Sequence, residues 1–411
     1  MRRAIHLAVI CCCIVAIFPR AVAASESVEP GSERKWNGRS VQVSLSRSLF
    51  RQSSAIKNGA LVKGAIETAA AAWSSVAPVT FRLVESDLDS ISDSRSGGDG
   101  KSLLTVAATA ENIALFPEGA NAPPAYTRLF FNRQGSIIEA DVVLNPFVQF
   151  STDATAGTFD LQSVITHELG HVLGLGHSPS MSATMYSRVP QNRNDVQQWN
   201  PTGKLSPTDI SMIRSLYGAS NQDIDCCASV VGNIPGKSTV VWAEEASSGR
   251  VVAAEVFTKG SYSLGGFMIG RYRVLAQPFE TGAAAELAVR EFELPTRLKT
   301  TALNTASDVH LKYIGLNGEL GSVPVHLSRG RTYQIVLGGV GLDPSNTRFG
   351  FNTPAISIMP GSVSSIDYGR GLSAIAISIN VDSEAPEGDY SIFAESASGA
   401  RRYLIGAISI D

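Results

Sequence analysis

The stretch Thr166-His-Glu-Leu-Gly-His-Val-Leu-Gly-Leu-Gly-His177 constrains this chain more than any other, because it brings three imidazoles and a carboxylate to where one metal ion and a water would meet. His167 and His171 are four residues apart. On an α-helix such residues share a face, with Cβ atoms about 5–6 Å apart, which suits two ligands of one ion. Gly174 lets the backbone leave the helix with positive φ, and His177 can then swing back as the third nitrogen. Glu168, beside the first ligand, is the candidate general base. Histidines on a helix are often satisfied core residues, but the census speaks against that here. The chain has six His, and the three of this stretch are the only ones between residues 24 and 300.

H-E-x-x-H alone occurs by chance in many helices. Here Gly174 and His177 follow at the spacing of a longer signature, and Met185 comes after them within Ser182-Ala-Thr-Met-Tyr186, where a Met-turn belongs. The stretch resembles the zinc site of the matrixins, the matrix-metalloproteinase branch of the metzincins, and the likeness extends more loosely from Glu33 to Gly218. The resemblance implies an α+β zincin-like (metzincin) catalytic domain over residues 33–218, with Zn2+ held by His167, His171 and His177 and Met185 beneath the imidazoles. It implies a secreted metalloendopeptidase that hydrolyses internal bonds of protein or peptide substrates by a zinc-activated water, with Glu168 as base. It also implies that Ala125, Tyr126 and Thr127 lie on an edge strand that an extended substrate joins by β-augmentation. Ser187, Arg188, Val189 and Pro190 would wall the pocket for the residue after the cut. Tyr186 directly follows Met185, whereas a tyrosine ligand would stand two residues after it, so Tyr186 is left out of the metal shell. In the closing helix, Thr208 replaces the first of the family's usual acidic pair, while Asp209 is left to brace the Met-turn. A purely structural zinc is the rival reading, but such sites normally have four protein ligands and often cysteine, and no cysteine is near.

The chain opens with Met1-Arg-Arg, an apolar run from Ala4 to Phe18, and Ala21-Val-Ala23, which predicts a signal peptide over residues 1–23. A run of fifteen residues falls short of the ~20 a bilayer core requires. The expectation is therefore an exported protein without a membrane span, secreted or extracellular, with periplasm or cell surface as alternatives. The remaining 388 residues suggest two to four domains. With 44% apolar and 17% charged residues and a net charge of −3, large cores are available and no basic surface calls for nucleic acid.

Val41, Val43 and Leu45 alternate as in a strand, and Ala60 to Ser75 reads as a helix ended near Pro78. Thr80 to Val84, Leu103 to Ala107, Ala125 to Asn132 and Ile137 to Leu144 read as further strands. The active-site helix starts near Asp160, a good N-cap. A last helix from Pro207 to Tyr217 has Ser206 as N-cap and Gly218 past its end. Between strands lies Asp87 to Gly100, rich in Ser, Asp and Gly, which reads as a solvated mobile loop. Its carboxylates, Asp87, Asp89, Asp93 and Asp99, make structural Ca2+ the alternative there, since calcium takes oxygen ligands.

Beyond Gly218 helical periodicity disappears and short alternating runs take over, which predicts two all-β sandwich domains. Residues 226–295, with Gly249-Arg-Val-Val-Ala-Ala-Glu255 and the run from Gly260 to Tyr272, resemble a carboxypeptidase regulatory-like or transthyretin-like module. Residues 301–411, with Ile375-Ala-Ile-Ser-Ile-Asn-Val381 and the turn Pro386-Glu-Gly-Asp-Tyr390, resemble an immunoglobulin-like sandwich. Neither carries a constellation for chemistry, so cell-surface, carbohydrate or protein contacts are their candidate roles. The alternative for the whole protein is a secreted β-sandwich binding or adhesion protein whose metal-binding domain is inactive. Cys226 and Cys227 could bridge each other, bridge another chain or stay free. No cysteine lies between residues 24 and 225, so the thiolate latch typical of animal matrixins is not expected. Because every motif residue falls inside 33–218, that span is expected to fold and act alone.

Overall fold

The computed structural model describes residues 34–192, 204–220, 223, 225–234, 238–258, 260–279, 286–287, 290–293, 302–303, 309–369 and 371–411. The expected signal peptide and the boundary expected between residues 295 and 301 lie outside these residues.

The first unit is built on a five-stranded sheet of β1 (Ser40–Ser46), β2 (Thr80–Ser86), β3 (Ser102–Thr105), β4 (Ala125–Phe131) and β5 (Ile137–Leu144), in the order β2-β1-β3-β5-β4. The pairings are parallel except that β4 runs antiparallel to β5 and forms the edge. Helix α1 (Val62–Val76) and the motif helix α3 (Leu161–Val172) share one core with this sheet, through Ala65, Ile66, Ala69 and Trp73 from one and Val164, Ile165, Leu169 and Val172 from the other. The small alanines of α1 let the helices approach, and the buried Trp73 indole donates to Thr166 O at 2.8 Å, one residue before the first histidine. Asp160 caps α3 by accepting from Ser163 N at 2.7 Å. Helix α4 (Pro207–Tyr217) starts with a reciprocal capping box of Ser206 and Asp209 and ends at Gly218 with φ 81°. These elements match the sequence expectation to within a few residues. The short helix α2 (Ala110–Ile113) and the two-residue strands β6 (Phe150–Ser151) and β7 (Phe159–Asp160) were not foreseen, being too short to show a period.

Residues 87–100 differ from the mobile loop expected. Ser92 N and Leu103 N both donate to Asp141 at 2.9 Å, Gly100 N to Glu139 at 2.5 Å, and Ile91 N to Asn112 Oδ1 at 3.0 Å. Glu139 and Asp141 sit two apart on β5 and therefore on one face of the strand. Both are buried beneath the loop. Desolvation, with Glu139 nearby, pushes Asp141 up to about 8. The four aspartates proposed for calcium do not converge. Asp87 pairs with Arg47, Asp89 accepts from Ser46, Asp93 pairs with Arg95, and Asp99 accepts from Lys101 N.

After α4 the described chain is all β. Strands Val251–Phe257, Thr239–Glu245, Arg271–Pro278 and Arg290–Glu293 form one sheet in that order, and Ala228–Ile234 pairs with Gly260–Phe267. A core of Val230, Val241, Ala253, Tyr262, Leu264 and Val274 is drawn from both. From Val309 onward, one sheet runs His310–Leu316, Thr332–Val340, Ser373–Val381 and Ile356–Ile358, and a second runs Val325–Leu327, Arg401–Ile410, Gly388–Glu395 and Arg348–Phe351. Cys226 and Cys227 are joined to each other by a disulfide across a cis peptide bond. Among the described residues no helix is long and apolar enough to cross a membrane.

Candidate metal centre

His167 and His171 project from the same face of α3, and their Nε2 atoms stand 3.1 Å apart. His177 completes the group, with all three ligand atoms within 4.8 Å of one another. It reaches this position because Gly174 turns the chain with φ 96°, and a Cβ there would come within 2.0 Å of Arg34 O. Only glycine satisfies both the dihedral and the close approach.

The other ring nitrogens are committed to backbone carbonyls. His167 Nδ1 meets Thr184 O at 2.7 Å and His171 Nδ1 meets Leu175 O at 2.8 Å. A carbonyl only accepts, so each Nδ1 carries the proton and each Nε2 keeps a free lone pair, the tautomer a metal ligand needs. Desolvation lowers the basicity of all three imidazoles, holding His167 at about 4, His171 well below its ordinary value and His177 below it too. Three neutral, convergent nitrogens fit a catalytic zinc, which takes three protein ligands and leaves a position open.

Below the histidines lies Met185, fully buried. Gly170, between the two helical ligands, makes room for it, since a Cβ on Gly170 would stand 2.2 Å from Met185 Sδ. The turn that carries Met185 is held by Asp209, whose carboxylate accepts from Thr184 N at 2.7 Å and Met185 N at 2.9 Å. The bracing expected of Asp209 is thus a pair of backbone hydrogen bonds.

Glu168 is buried, and its Oε2 accepts from Thr127 Oγ1 at 2.5 Å. Desolvation raises its pKa to about 7, with the Thr127 bond acting the other way. Of the three β4 residues expected to meet substrate, Thr127 therefore turns its side chain in to Glu168, Tyr126 packs its ring on Phe116 at 5.3 Å, and Ala125 is buried. Ser187 and Arg188 are exposed, while Val189 packs on the core of the first unit and Pro190 is half-buried. No sequence signal marked Thr127 as the partner of Glu168, or Thr184 and Leu175 as the carbonyl acceptors.

With this geometry in view, residues 128–218 match the family model for matrixins, peptidase family M10. This part of the chain is matrixin-like. Over 60 residues it is 47% identical to metalloendoproteinase 1 of Glycine max, covering 15% of this chain and 17% of that protein. It is 30% identical over 162 residues to matrix metalloproteinase-19 of Homo sapiens, covering 38% and 26%, and 29% identical over 154 residues to metalloendoproteinase 4-MMP of Arabidopsis thaliana, covering 36% and 37%. The chain spans less than two fifths of the length of these curated relatives. The matrixin match contains β5, α3, the three histidines, Met185 and α4, and it starts one residue after Thr127.

Proposed function

We propose that the protein is an exported zinc metalloendopeptidase acting on internal bonds of protein or peptide substrates. The observation that carries this reading is the buried Glu168 carboxylate directly following His167, held by Thr127 from the edge strand, beside three imidazoles that share one focus. His167, His171 and His177 would hold the ion. Zinc, when bound, polarises a carbonyl oxygen and lowers the pKa of a water from about 15.7 toward about 7. Glu168 takes a proton from the attacking water and returns it to the leaving amine. The Thr127 hydroxyl favours the ionised carboxylate, so Glu168 is poised near neutrality instead of being held protonated by burial. Because β4 is the edge of its sheet, an extended peptide can add to it beside Ala125, Tyr126 and Thr127, with the segment Ser187, Arg188, Val189 and Pro190 lining the far side.

In this reading residues 1–23 direct export, 33–218 form the peptidase domain, and 226–295 and 301–411 form two β-sandwiches. The immunoglobulin-like assignment of the last is supported by Tyr390, whose hydroxyl donates to Pro386 O at 2.6 Å as a tyrosine corner does. The test is digestion of a diverse peptide mixture by the full chain, read by mass spectrometry, with chelator and zinc add-back. Internal cleavage that stops on chelation and returns with zinc supports the proposal. Zinc-loaded protein that cuts no peptide refutes it and leaves the adhesion reading.

A further inference from the structure

We infer that the C-terminal β unit, residues 309–411, is a positioning element of the metal site, because it holds the loop 178–186 on which His167 and the Met-turn rest. This rests on the zinc-site reading above and goes beyond it by assigning the tail a part in that site.

The loop has little regular structure of its own. It follows His177 directly, and Ser178 N donates to Met185 O at 2.8 Å across its base. Its side chains divide between two cores. Met185 belongs to the core of the matrixin-like unit, but Met181 is buried among Val325, Ile392, Ile408 and other residues of the C-terminal unit, and Tyr186 packs against the same cluster. Met181 N also donates to Ile405 O at 2.9 Å. Ser182 bonds to the buried carboxylate of Asp389, which also accepts from Ser409 Oγ at 3.0 Å. Gly406 approaches so closely that a Cβ there would stand 2.2 Å from Ser180 Oγ and 2.7 Å from Ser182 Oγ.

Two residues further on, Thr184 offers its carbonyl to His167 Nδ1 and its N–H to Asp209. The loop is therefore clamped on one side by Asp209 and on the other by Ile405, Gly406 and Asp389. Even α4 is backed by tail residues, with Ser211 Oγ donating to Gly265 O at 2.5 Å. This runs against the expectation that residues 33–218 act alone. Partners that orient a metal-bound histidine typically alter metal affinity about 10–100-fold when disturbed. Met181, Asp389 and Gly406 are positioning residues in this sense, acting through Thr184 and not on substrate.

The experiment uses the full chain, with zinc affinity measured by competition with a chromophoric chelator and the site geometry read from the visible spectrum of the cobalt(II)-loaded protein. Gly406→Ala is expected to stay folded by near-UV circular dichroism, bind zinc about 10–100-fold more weakly, shift the cobalt spectrum, and lower kcat with little change in KM. Alanine at φ 58° is also strained in itself, so the same readouts on Met181→Ala separate an effect on the loop from strain in the strand. Should Gly406→Ala not fold, Met181→Ala, which removes only the loop's apolar anchor, is expected to weaken zinc and alter the cobalt spectrum in the same direction. Folded Gly406→Ala or Met181→Ala protein with wild-type zinc affinity and cobalt spectrum overturns the inference. A wild-type chain that binds no zinc overturns the zinc-site reading itself, which is a separate result.

Discussion

Thr127 Oγ1 donates to Glu168 Oε2 at 2.5 Å, so the edge strand β4 and helix α3 are tied together at the carboxylate beside the three histidines. The bond opposes the desolvation that drives Glu168 up to about 7. A base must be ionised to act, so activity rises with pH through its pKa. Thr127→Val keeps the shape and removes the donor, which raises the pKa and moves the acidic limb of kcat/KM to higher pH. A hydrogen bond to a charged group is worth about 1.5–3 kcal/mol, so the move is about one unit or more. A bound dication lowers both profiles together, so the comparison is between the two zinc-loaded proteins. Superimposable profiles would remove Thr127 from the mechanism.

Glu168→Ala should keep zinc, because none of the three imidazoles depends on it, and lose about 10²–10⁴-fold in kcat through loss of the general base. Zinc content and peptide turnover measured on one preparation check this. Turnover at the wild-type rate in a zinc-loaded variant would assign the proton transfer elsewhere.

At the metal-free site the linkages of the imidazoles and of Glu168 are opposed. His167 is held at about 4 when folded, below its ordinary 6.5, so the unfolded chain binds the proton first and stability falls as pH drops from about 6.5 toward 4. Glu168 is raised from 4.5 to about 7, so the unfolded chain releases its proton first and stability rises as pH drops from about 7 toward 4.5. Removing the carboxylate leaves the histidine effect alone. Thermal unfolding of chelated Glu168→Ala should therefore show a steeper loss than chelated wild type between pH 7 and 5, by up to about 3 kcal/mol. Equal slopes would mean that Glu168 carries no such shift.

Glycine-to-alanine replacement should have opposite signs in two helices. Gly64 in α1 has nothing within 4 Å of an added Cβ, so Gly64→Ala should stabilise by about 0.5–1 kcal/mol. In α3, Gly170→Ala sets a methyl 2.2 Å from Met185 Sδ and 2.9 Å from Trp73. Overpacking of this kind costs about 1–3 kcal/mol, and it displaces the side chain beneath the ligands. Chemical denaturation of both variants tests the contrast, and a stabilising Gly170→Ala would mean that Met185 has room to move.

Much of the site was legible in the chain itself. The four-residue spacing of His167 and His171, the glycine at 174, and the caps Asp160, Ser206 and Gly218 all act within a turn or two of backbone, where residue type and spacing fix the outcome. Alternation likewise placed β1, a run ended near Pro78 placed α1, and the caps placed α4. What tertiary structure decided are interactions whose partners carry no distinguishing residue type. Thr184 O and Leu175 O set the histidine tautomers as bare carbonyls, which every residue has. Thr127 found Glu168 across 41 positions, and Asp141 pinned the loop 87–100 across as many as 49. Met181, inside a loop that sequence alone assigns to the peptidase unit, buries its side chain in the C-terminal core. Such contacts depend on how separate elements pack in space, whereas the helix and its ligands depend on hydrogen bonds and side-chain spacings only a few residues long.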